Sequence, residues 1–327
     1  MSTTTNFTEK TYCSMQDDGF DFPDRYTVAV INFVLSLTAT FGNIVISLAI
    51  VKCKPLRNEA PAYFIVSLAI ADLLIGTLAQ TLFVAVLLDW SPATCVLELP
   101  EKLVGHFTCS VSTGSSMCVC LDRWFKICKP FRYHQLVTKL RIKMLIVTTW
   151  VCGIIAGLLS YWVADPRTVA VATLIWLCNS ALVAMFSAHQ VFHAAKRQIR
   201  AISRQSFSDR RLSFMKERKL AASLFFVVGT FILCWIPYAV GYVVRKYLYS
   251  RKTWDLFLRL RVWSMTLGYS NSSMNVFIYS RHNKQIRRAM VSLFRRSKIS
   301  PERISASGSD DVFVMTKIKR DISQQQT

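Results

Sequence analysis

The sequence predicts an all-α membrane protein, a bundle of seven transmembrane helices followed by a short amphipathic helix on the inner membrane surface. Three observations support this fold class. The chain of 327 residues is 52% hydrophobic and only 18% charged, and its charged residues cluster between long apolar stretches. Those stretches reach the roughly 20 residues that a helix needs to cross a bilayer core of about 30 Å. They lack the alternating polar pattern of barrel strands, so they are predicted to be helices that satisfy their own backbone hydrogen bonds in lipid.

The seven apolar segments lie between Thr27 and Tyr279. The last one is the shortest, yet at 1.5 Å per residue it still spans about 27 Å. Most connections are short, so segments that are neighbours in sequence are expected to pack antiparallel. In chain order the segments cover residues 27–51, 62–88, 103–121, 144–163, 168–193, 220–244 and 262–279.

Apolar residues after Tyr279, among them Ile286, Met290 and Leu293, recur at helical spacing among basic residues. Such a helix lies along the inner surface of a membrane and contacts its lipids. The Ser-, Lys- and Gln-rich end of the chain is predicted to be disordered. The expected parts are an extracellular N-terminal segment (1–26), the seven-helix domain (27–279), the amphipathic juxtamembrane helix (280–296) and a disordered cytoplasmic tail (297–327).

The positive charges predict the orientation. If the N-terminus is outside, 30 of the 40 Lys and Arg residues fall in the cytoplasmic stretches and 10 in the outer ones. Excess positive charge stays on the cytoplasmic side, so the sequence predicts a multi-pass plasma-membrane protein with an extracellular N-terminus. The net charge of +21 is interpreted as this topological bias, because no nucleic-acid-binding module is visible in the sequence.

Most of the ten cysteines lie in apolar segments or on the reducing side of the membrane. Cys13 and Cys95 fall in the oxidising compartment, where they could pair with each other. The sequon that begins at Asn6 lies on the same side and predicts glycosylation.

Polar residues inside apolar segments predict a functional core. Asp72 lies in the middle of the second segment, where a carboxylate costs about 2.5–3.5 kcal/mol on insertion. It therefore needs partners, and a water- or sodium-filled polar cluster is predicted around it. The alternative is a protonated Asp72 that is merely hydrogen-bonded. The residues at comparable depth are Asn43, Ser112, Asn271, Ser272 and Asn275.

Charged residues mark the inner ends of segments three and six. Asp122 and Arg123 close segment three, and Glu217 stands where it could meet the Arg123 guanidinium and join the two segments. By itself the charged pair could simply mark the membrane boundary. Pro237 lies inside segment six, where proline removes a backbone hydrogen bond and makes a pivot.

Jointly these residues resemble the rhodopsin-like (class A) G-protein-coupled receptors over about residues 27–296. Trp150 fits the tryptophan of the fourth segment of that family. The motifs are Gly42-Asn43, Leu68 to Asp72, Asp122-Arg123-Trp124, Phe231 with Cys234-Trp235-Ile236-Pro237, and Asn275 to Tyr279.

Several positions depart from the family pattern. Glu98 stands where the outer cysteine of segment three belongs, Ala188 where a tyrosine is common, Val276 where a proline follows Asn275, and Trp124 where a tyrosine is usual. The very short second outer loop and the proline-free fifth segment are similar to melanocortin, cannabinoid and lysophospholipid receptors. Other motifs are similar to adenosine and melanocortin receptors. The resemblance places the chain near that cluster as a divergent member.

The resemblance implies a receptor rather than an enzyme, and it implies no cofactor beyond a possible sodium ion at Asp72. A ligand would favour one of two helix arrangements, and segment six would swing outward about a pivot made of Phe231, Trp235 and Pro237. Arg123 would leave Asp122 and Glu217 and open a cleft for a heterotrimeric G protein. The residues implied in that coupling are Asp122, Arg123, Phe131, Glu217 and Tyr279.

The outer halves of segments three, six and seven predict a ligand pocket. Side chains spaced by three, four and seven residues share one helix face. The alternative is that they are ordinary packing residues. The candidate pocket residues are His106, Cys109, Tyr238, Tyr242, Met265 and Tyr269.

Two ligand classes are excluded by this reading. Segment three has no acid between Leu103 and Leu121 to hold an amine, and segment seven has no lysine between Val262 and Tyr279 to hold retinal. The third outer stretch, which includes Arg245 and Arg261, is basic. It either snorkels to the lipid headgroups or attracts an acidic peptide or anionic lipid. The expected ligand is a peptide, a nucleoside or a lipid.

The sequence contains only weak indications of regulation by phosphorylation. Ser213 follows two arginines as in a basophilic kinase site, and Ser305, Ser307 and Ser309 could form a phosphorylated patch for arrestin. Such motifs also arise by chance. The alternative function is a secondary transporter that uses Asp72, although no internal repeat is visible.

Overall fold

A computed structural model describes residues 24–88, 94–162, 166–202, 233–234, 236–237, 241 and 251–294. Almost all of these residues are helical, and no strand occurs among them. The elements in chain order are α1 (Arg25–Lys52), α2 (Lys54–Arg57), α3 (Ala60–Leu74), a π-helical turn (Ile75–Ala79), α4 (Gln80–Leu88), α5 (Thr94–Cys128), α6 (Pro130–Leu136), α7 (Lys139–Trp162), α8 (Pro166–Ile202), α9 (Arg251–His282) and α10 (Lys284–Phe294).

Apolar composition identifies membrane-crossing candidates among these elements. Helices α5 and α9 are more polar, because their buried faces carry serine, threonine, asparagine and acidic side chains. The polar interior of the bundle is therefore concentrated on α5 and α9. The four spans that are long and apolar enough by length and composition are Arg25–Lys52, Ala60–Leu88, Lys139–Ser160 and Val171–Ala194.

Several helices extend beyond the apolar segments that predicted them. Helix α5 begins at Thr94 rather than at Leu103, and its outer turns are supported by an ion pair of 3.1 Å between Lys102 Nζ and Glu98 Oε2. Helix α9 begins at Arg251, outside the predicted 262–279. Hydropathy locates the part of a helix that lipid surrounds, whereas charged residues continue the helix into water.

The second apolar segment contains a π-helical turn that the sequence did not predict. The backbone N–H of Gln80 donates to the carbonyl of Ile75, five residues earlier. The carbonyl of Gly76 within this turn accepts from the Ser36 hydroxyl of α1 at 2.7 Å. A π turn inserts one extra residue and changes the facing of the side chains that follow it, often near functional sites. Here it begins three residues after Asp72.

Helix α5 lies at the centre of the described bundle and packs against α3, α7 and α8, while α1 packs against α3, α4, α9 and α10. Polar contacts join α1 to α9 along their length. Asn32 Nδ2 donates to Thr266 Oγ1 at 2.8 Å, and Ser273 Oγ donates to the carbonyl of Leu35 at 2.8 Å. Such contacts between membrane helices contribute about 0.6 kcal/mol each. These hydrogen bonds fix the position of α9 relative to α1.

The unusual Val276 has a packing partner in α1. A Cβ atom at Gly42 would lie 2.5 Å from a Val276 methyl group, closer than any real contact. Glycine therefore allows α1 and α9 to approach at this point. The side chain that replaces the family's proline fills the space above Gly42.

Helix α10 is the amphipathic element expected after Tyr279. Asn283 begins it, since its Oδ1 accepts from the backbone N–H groups of Gln285 and Ile286 at 3.1 Å each. Ile286 is buried with Ile46 and Ile50 of α1. Arg287 and Arg288 are exposed, in agreement with the expected basic face.

Candidate functional site

Asp72 is fully buried and joins three helices. Its Oδ1 accepts from the Ser112 hydroxyl of α5 at 2.7 Å, and its Oδ2 accepts from Asn275 Nδ2 of α9 at 2.8 Å. Both distances lie in the normal range for hydrogen bonds. The structure therefore brings together the centre of the predicted polar cluster.

The other residues predicted for this cluster take different places. Ser272 is buried on α9, the helix that also carries Asn275. Asn43 instead donates to the carbonyls of Ala39 and Ser272, at 2.8 and 3.3 Å. Asn271 is buried on α9, but no hydrogen bond joins it to Asp72 in the described part of the chain. Asn43 and Asn271 therefore surround the cluster rather than bind its carboxylate.

Trp150 is linked to a second, smaller polar network. Its indole N–H donates to Ser67 Oγ of α3 at 3.1 Å, and that hydroxyl lies 3.2 Å from Ser115 Oγ of α5. The tryptophan thus joins α7 to the α3–α5 pair, which carries Asp72 and Ser112.

Near the C-terminal end of α5, Asp122 is only 3% exposed. Its Oδ1 accepts from the Tyr133 hydroxyl at 2.7 Å, whereas Arg123 Nε stands 3.9 Å from Oδ2. The second distance is too long for a hydrogen bond. The main partner of Asp122 is therefore Tyr133 of α6.

The sequence prediction missed this role of Tyr133. The signal available was a tyrosine in the short basic connection that follows the Asp122-Arg123 pair. Burial and the neighbouring Asp122 raise the pKa of Tyr133, so its hydroxyl remains a proton donor at neutral pH.

Tyr133→Phe is expected to destabilise the inner end of the protein by about 2 kcal/mol, because the buried Asp122 carboxylate loses a charge-assisted hydrogen bond. Thermal unfolding of the purified protein measures this loss. The same substitution should cost clearly less in an Asp122→Asn background, where no buried charge remains. Equal losses in the two backgrounds would show that the bond to Asp122 is not the cause.

Phe131 and Tyr279 lie near the C-terminal end of α5, in different environments. Phe131 follows the proline that begins α6 and is 96% exposed. Tyr279 is partly buried and packs against the inner core cluster that contains Ile65 and Ile286. Phe131 is thus available to another molecule, while Tyr279 is part of the packing between α9 and its neighbours.

A pocket opens between the N-terminal halves of α5 and α8 and the middle of α9, with about 680 Å³ of space, its open mouth included. Four predicted ligand residues line it, namely His106, Cys109, Met265 and Tyr269. The full lining is Glu101, Lys102, Gly105, His106, Cys109, Ser110, Thr113, Thr173, Trp176, Leu177, Arg261, Met265 and Tyr269.

Glu101 is the one acidic residue among the pocket residues that the sequence prediction missed. It is 3% exposed, and its Oε1 accepts from the Tyr269 hydroxyl at 2.9 Å. Gly105 allows this contact, since a Cβ there would lie 2.9 Å from Tyr269 Oη. The predicted segment begins at Leu103, which places Glu101 in the preceding loop. The spacing of Glu101, Gly105 and Cys109 by four residues was the signal that could have found it.

This position of Glu101 corrects the argument against an amine ligand. No acid lies between Leu103 and Leu121, as predicted. The helix nevertheless continues outward, and it brings a buried carboxylate into the pocket one turn before Gly105. The lack of a carboxylate in the apolar segment therefore does not exclude a cationic ligand.

Several predicted residues lie outside the described residues. Pro237 is described and lies in helical backbone. The structure says nothing of the proposed lock to segment six or of the pivot side chains beside Pro237. The predicted residues outside the description are Asn6, Cys13, Ser213, Glu217, Phe231, Trp235, Tyr238, Tyr242, Ser305, Ser307 and Ser309, together with the side chain of Cys95.

A model of the family described as "7 transmembrane receptor (rhodopsin family)" matches residues 42–169 and 164–279. The chain belongs to the rhodopsin family of receptors. Its membership confirms the predicted seven-helix membrane fold and the function of a G-protein-coupled receptor, which is not an enzyme. The transporter alternative finds no support.

Individual members of the rhodopsin family are also similar to this receptor. The histamine H2 receptor of Canis lupus familiaris is 29% identical over 84% of this chain and 80% of its own length. The octopamine receptor beta-1R of Drosophila melanogaster is 23% identical, over 80% and 59%. The alpha-1A adrenergic receptor of Oryzias latipes is 26% identical, over 83% and 68%. None of these three carries the name of the melanocortin, adenosine, cannabinoid or lysophospholipid cluster, so the finer placement stays a prediction.

Proposed function

We propose that this receptor binds a small extracellular ligand in the pocket between α5, α8 and α9 and signals to a heterotrimeric G protein at the inner end of α5. One observation carries the proposal. Helices α5 and α9 supply Glu101 and Tyr269 at the outer end and Ser112 and Asn275 at Asp72. A change in the relative position of α5 and α9 at the pocket therefore also alters the hydrogen bonds to the Asp72 carboxylate.

The signal is proposed to pass as a shift between two arrangements of these helices. A ligand can shift that equilibrium only by binding one arrangement better than the other. Contacts to Glu101 or Tyr269 provide the difference if their hydrogen bond changes between the two arrangements. At the inner end, Arg123 and the exposed Phe131 form the surface proposed for the G protein.

The polar cluster is proposed to hold a sodium ion in the inactive arrangement. The carboxylate of Asp72 and the hydroxyls of Ser112 and Ser272 offer oxygen ligands of the type that hard cations prefer. The charge of the ion would offset that of the buried carboxylate. These three residues are the ones that would hold it.

The remaining expectations continue as parts of this proposal. They are an extracellular N-terminus glycosylated at Asn6 and located at the plasma membrane, a possible Cys13–Cys95 disulfide, and arrestin binding through a phosphorylated tail. Excess cytoplasmic lysine and arginine support the orientation.

Different observations support two different classes of ligand. The relatives named for histamine, octopamine and adrenergic ligands favour an amine, and Glu101 offers a partner for its charge. The short outer loop and the basic outer stretch favour the peptide, nucleoside or lipid that the sequence predicts. Arg261 brings one of those basic residues into the same pocket.

G-protein dissociation in transfected cells tests the proposal. Cells are exposed to histamine, octopamine, adenosine and lysophosphatidic acid, and basal signalling is recorded as well. Arg123→Ala is expected to reduce basal and stimulated signalling at least tenfold, because it removes the charged residue at the proposed coupling surface.

Arg132→Ala is the matched control, since Arg132 is an exposed arginine on α6 beside Phe131. It should leave signalling within about twofold of wild type at equal surface expression. Signalling that survives Arg123→Ala unchanged would contradict the proposed coupling surface.

A further inference from the structure

We propose that the ligand of the outer pocket is a small zwitterion of the α-amino-acid type, which carries a protonated amine and an anionic group close together. This inference rests on the proposed function, because it assumes that this pocket is where the receptor binds its ligand. It goes further by assigning each charge of the ligand to a residue.

Glu101 is the partner of the ligand's amine. Its carboxylate lines the pocket, is almost fully buried, and receives a hydrogen bond on Oε1 from Tyr269. A buried carboxylate needs further hydrogen bonds or an opposite charge to offset its lost hydration. A ligand ammonium group supplies both.

Arg261 and Lys102 are the partners of the anionic group. Both line the same pocket as Glu101, and the Lys102 ammonium also forms an ion pair of 3.1 Å with Glu98. Arginine offers a planar pair of N–H donors that matches a carboxylate. A ligand that seats its amine on Glu101 therefore brings an adjacent carboxylate within the field of these two cations.

The charge balance favours a ligand without net charge. Glu98 and Lys102 form an ion pair at 3.1 Å, and Glu101 and Arg261 both line the pocket, so two acids are matched by two bases among the described residues. A ligand with a single charge would leave one unbalanced charge in a buried site, which is costly. A zwitterion adds one charge of each sign and keeps the balance.

The rest of the pocket suits an apolar or aromatic side chain. Leu177 and Met265 contribute apolar surface, and Trp176 contributes an indole ring. The indole N–H of Trp176 is buried without an acceptor in the described part of the chain. A polar atom on the ligand side chain would satisfy that donor.

Matched sets of three compounds test the assignment. One set is tyrosine, tyramine and 3-(4-hydroxyphenyl)propionate, and the other is histidine, histamine and imidazole-propionate. Binding is read as the ligand-induced rise in the melting temperature of the purified receptor, which needs no G protein. The amino acid of at least one set should bind at least tenfold more tightly than its amine and its acid. Glu101→Gln and Arg261→Gln should each weaken it at least tenfold.

Arg259→Gln is the control, because Arg259 is an exposed arginine of α9 that does not line the pocket. It should change the affinity less than threefold. If an amine binds as tightly as its amino acid, the zwitterion proposal is wrong and the ligand is a cation. If the acid binds as tightly as the amino acid, the proposal is wrong and the ligand is an anion. Failure of both sets would also overturn it. The proposed function is tested independently of the ligand. It is contradicted if Arg123→Ala leaves G-protein signalling unchanged.

Discussion

Asn275→Val is expected to lower the free energy of unfolding of the purified receptor by about 2 kcal/mol, more than other buried polar substitutions on α9. Asn275 Nδ2 donates to Asp72 Oδ2 at 2.8 Å, and Asp72 is fully buried. Removing one donor from a buried carboxylate leaves charge that water cannot reach, and hydrogen bonds to charged groups contribute about 1.5–3 kcal/mol. Thermal unfolding in detergent measures the effect.

Asn271 provides the matched control for this substitution. It is a buried asparagine of the same helix, but it makes no hydrogen bond to Asp72 among the described residues. Asn271→Val should therefore cost less than Asn275→Val. The double variant with Asp72→Ala should recover much of the loss, because the unsatisfied carboxylate is gone. Equal effects of the two valine substitutions would contradict the pairing of Asn275 with Asp72.

The same set of variants tests sodium binding. Replacing choline chloride with sodium chloride should raise the melting temperature of the wild-type receptor, because an ion that binds only the folded state stabilises it. The rise should disappear in Asp72→Asn. A rise that persists in this variant would place any sodium effect elsewhere.

Phe131→Ala is expected to reduce G-protein activation at least tenfold while the melting temperature changes by less than about 1 °C. The Phe131 ring is 96% exposed and makes few contacts inside the receptor, so its removal costs the isolated fold little. Burying a phenylalanine side chain against a partner contributes about 1.5–3 kcal/mol, and 1.4 kcal/mol corresponds to a factor of ten. G-protein dissociation at matched surface expression measures the loss.

Leu140→Ala is the control for exposed apolar surface on the inner side. Leu140 is 68% exposed near the start of α7, outside the proposed coupling surface. Its replacement should leave activation within about twofold of wild type. A loss equal to that of Phe131→Ala would mean that inner apolar surface in general, rather than Phe131 itself, sets the coupling.

The contacts of Asp72 could be predicted in part because a carboxylate in the middle of an apolar segment must be met by polar groups at the same depth. Depth follows from position along each helix, so the sequence predicts Ser112 and Asn275 as partners, and the structure confirms both. Rotation about the helix axis does not follow from depth. Asn43 lies at a similar depth but bonds to the carbonyls of Ala39 and Ser272.

Contacts between segments of different polarity could not be predicted in the same way. Tyr133 lies in a connection that carries no apolar periodicity, and Glu101 lies before the apolar part of α5. Each finds its partner only when the chain folds back, Tyr133 on Asp122 and Glu101 on Tyr269. The π turn after Asp72 likewise depends on how α3 and α4 pack against α1, where Ser36 bonds to Gly76.

The sequence by itself determined the class of this protein, since the length of an apolar helix and the sign of its flanking charges depend only on local composition. It also placed Asp72, Ser112 and Asn275 at a common depth in the core. The tertiary structure alone decided how the polar groups pair. It joined Asp122 to Tyr133 and brought Glu101 into the ligand pocket, because such pairings depend on the rotation and close approach of helices that are distant in the chain.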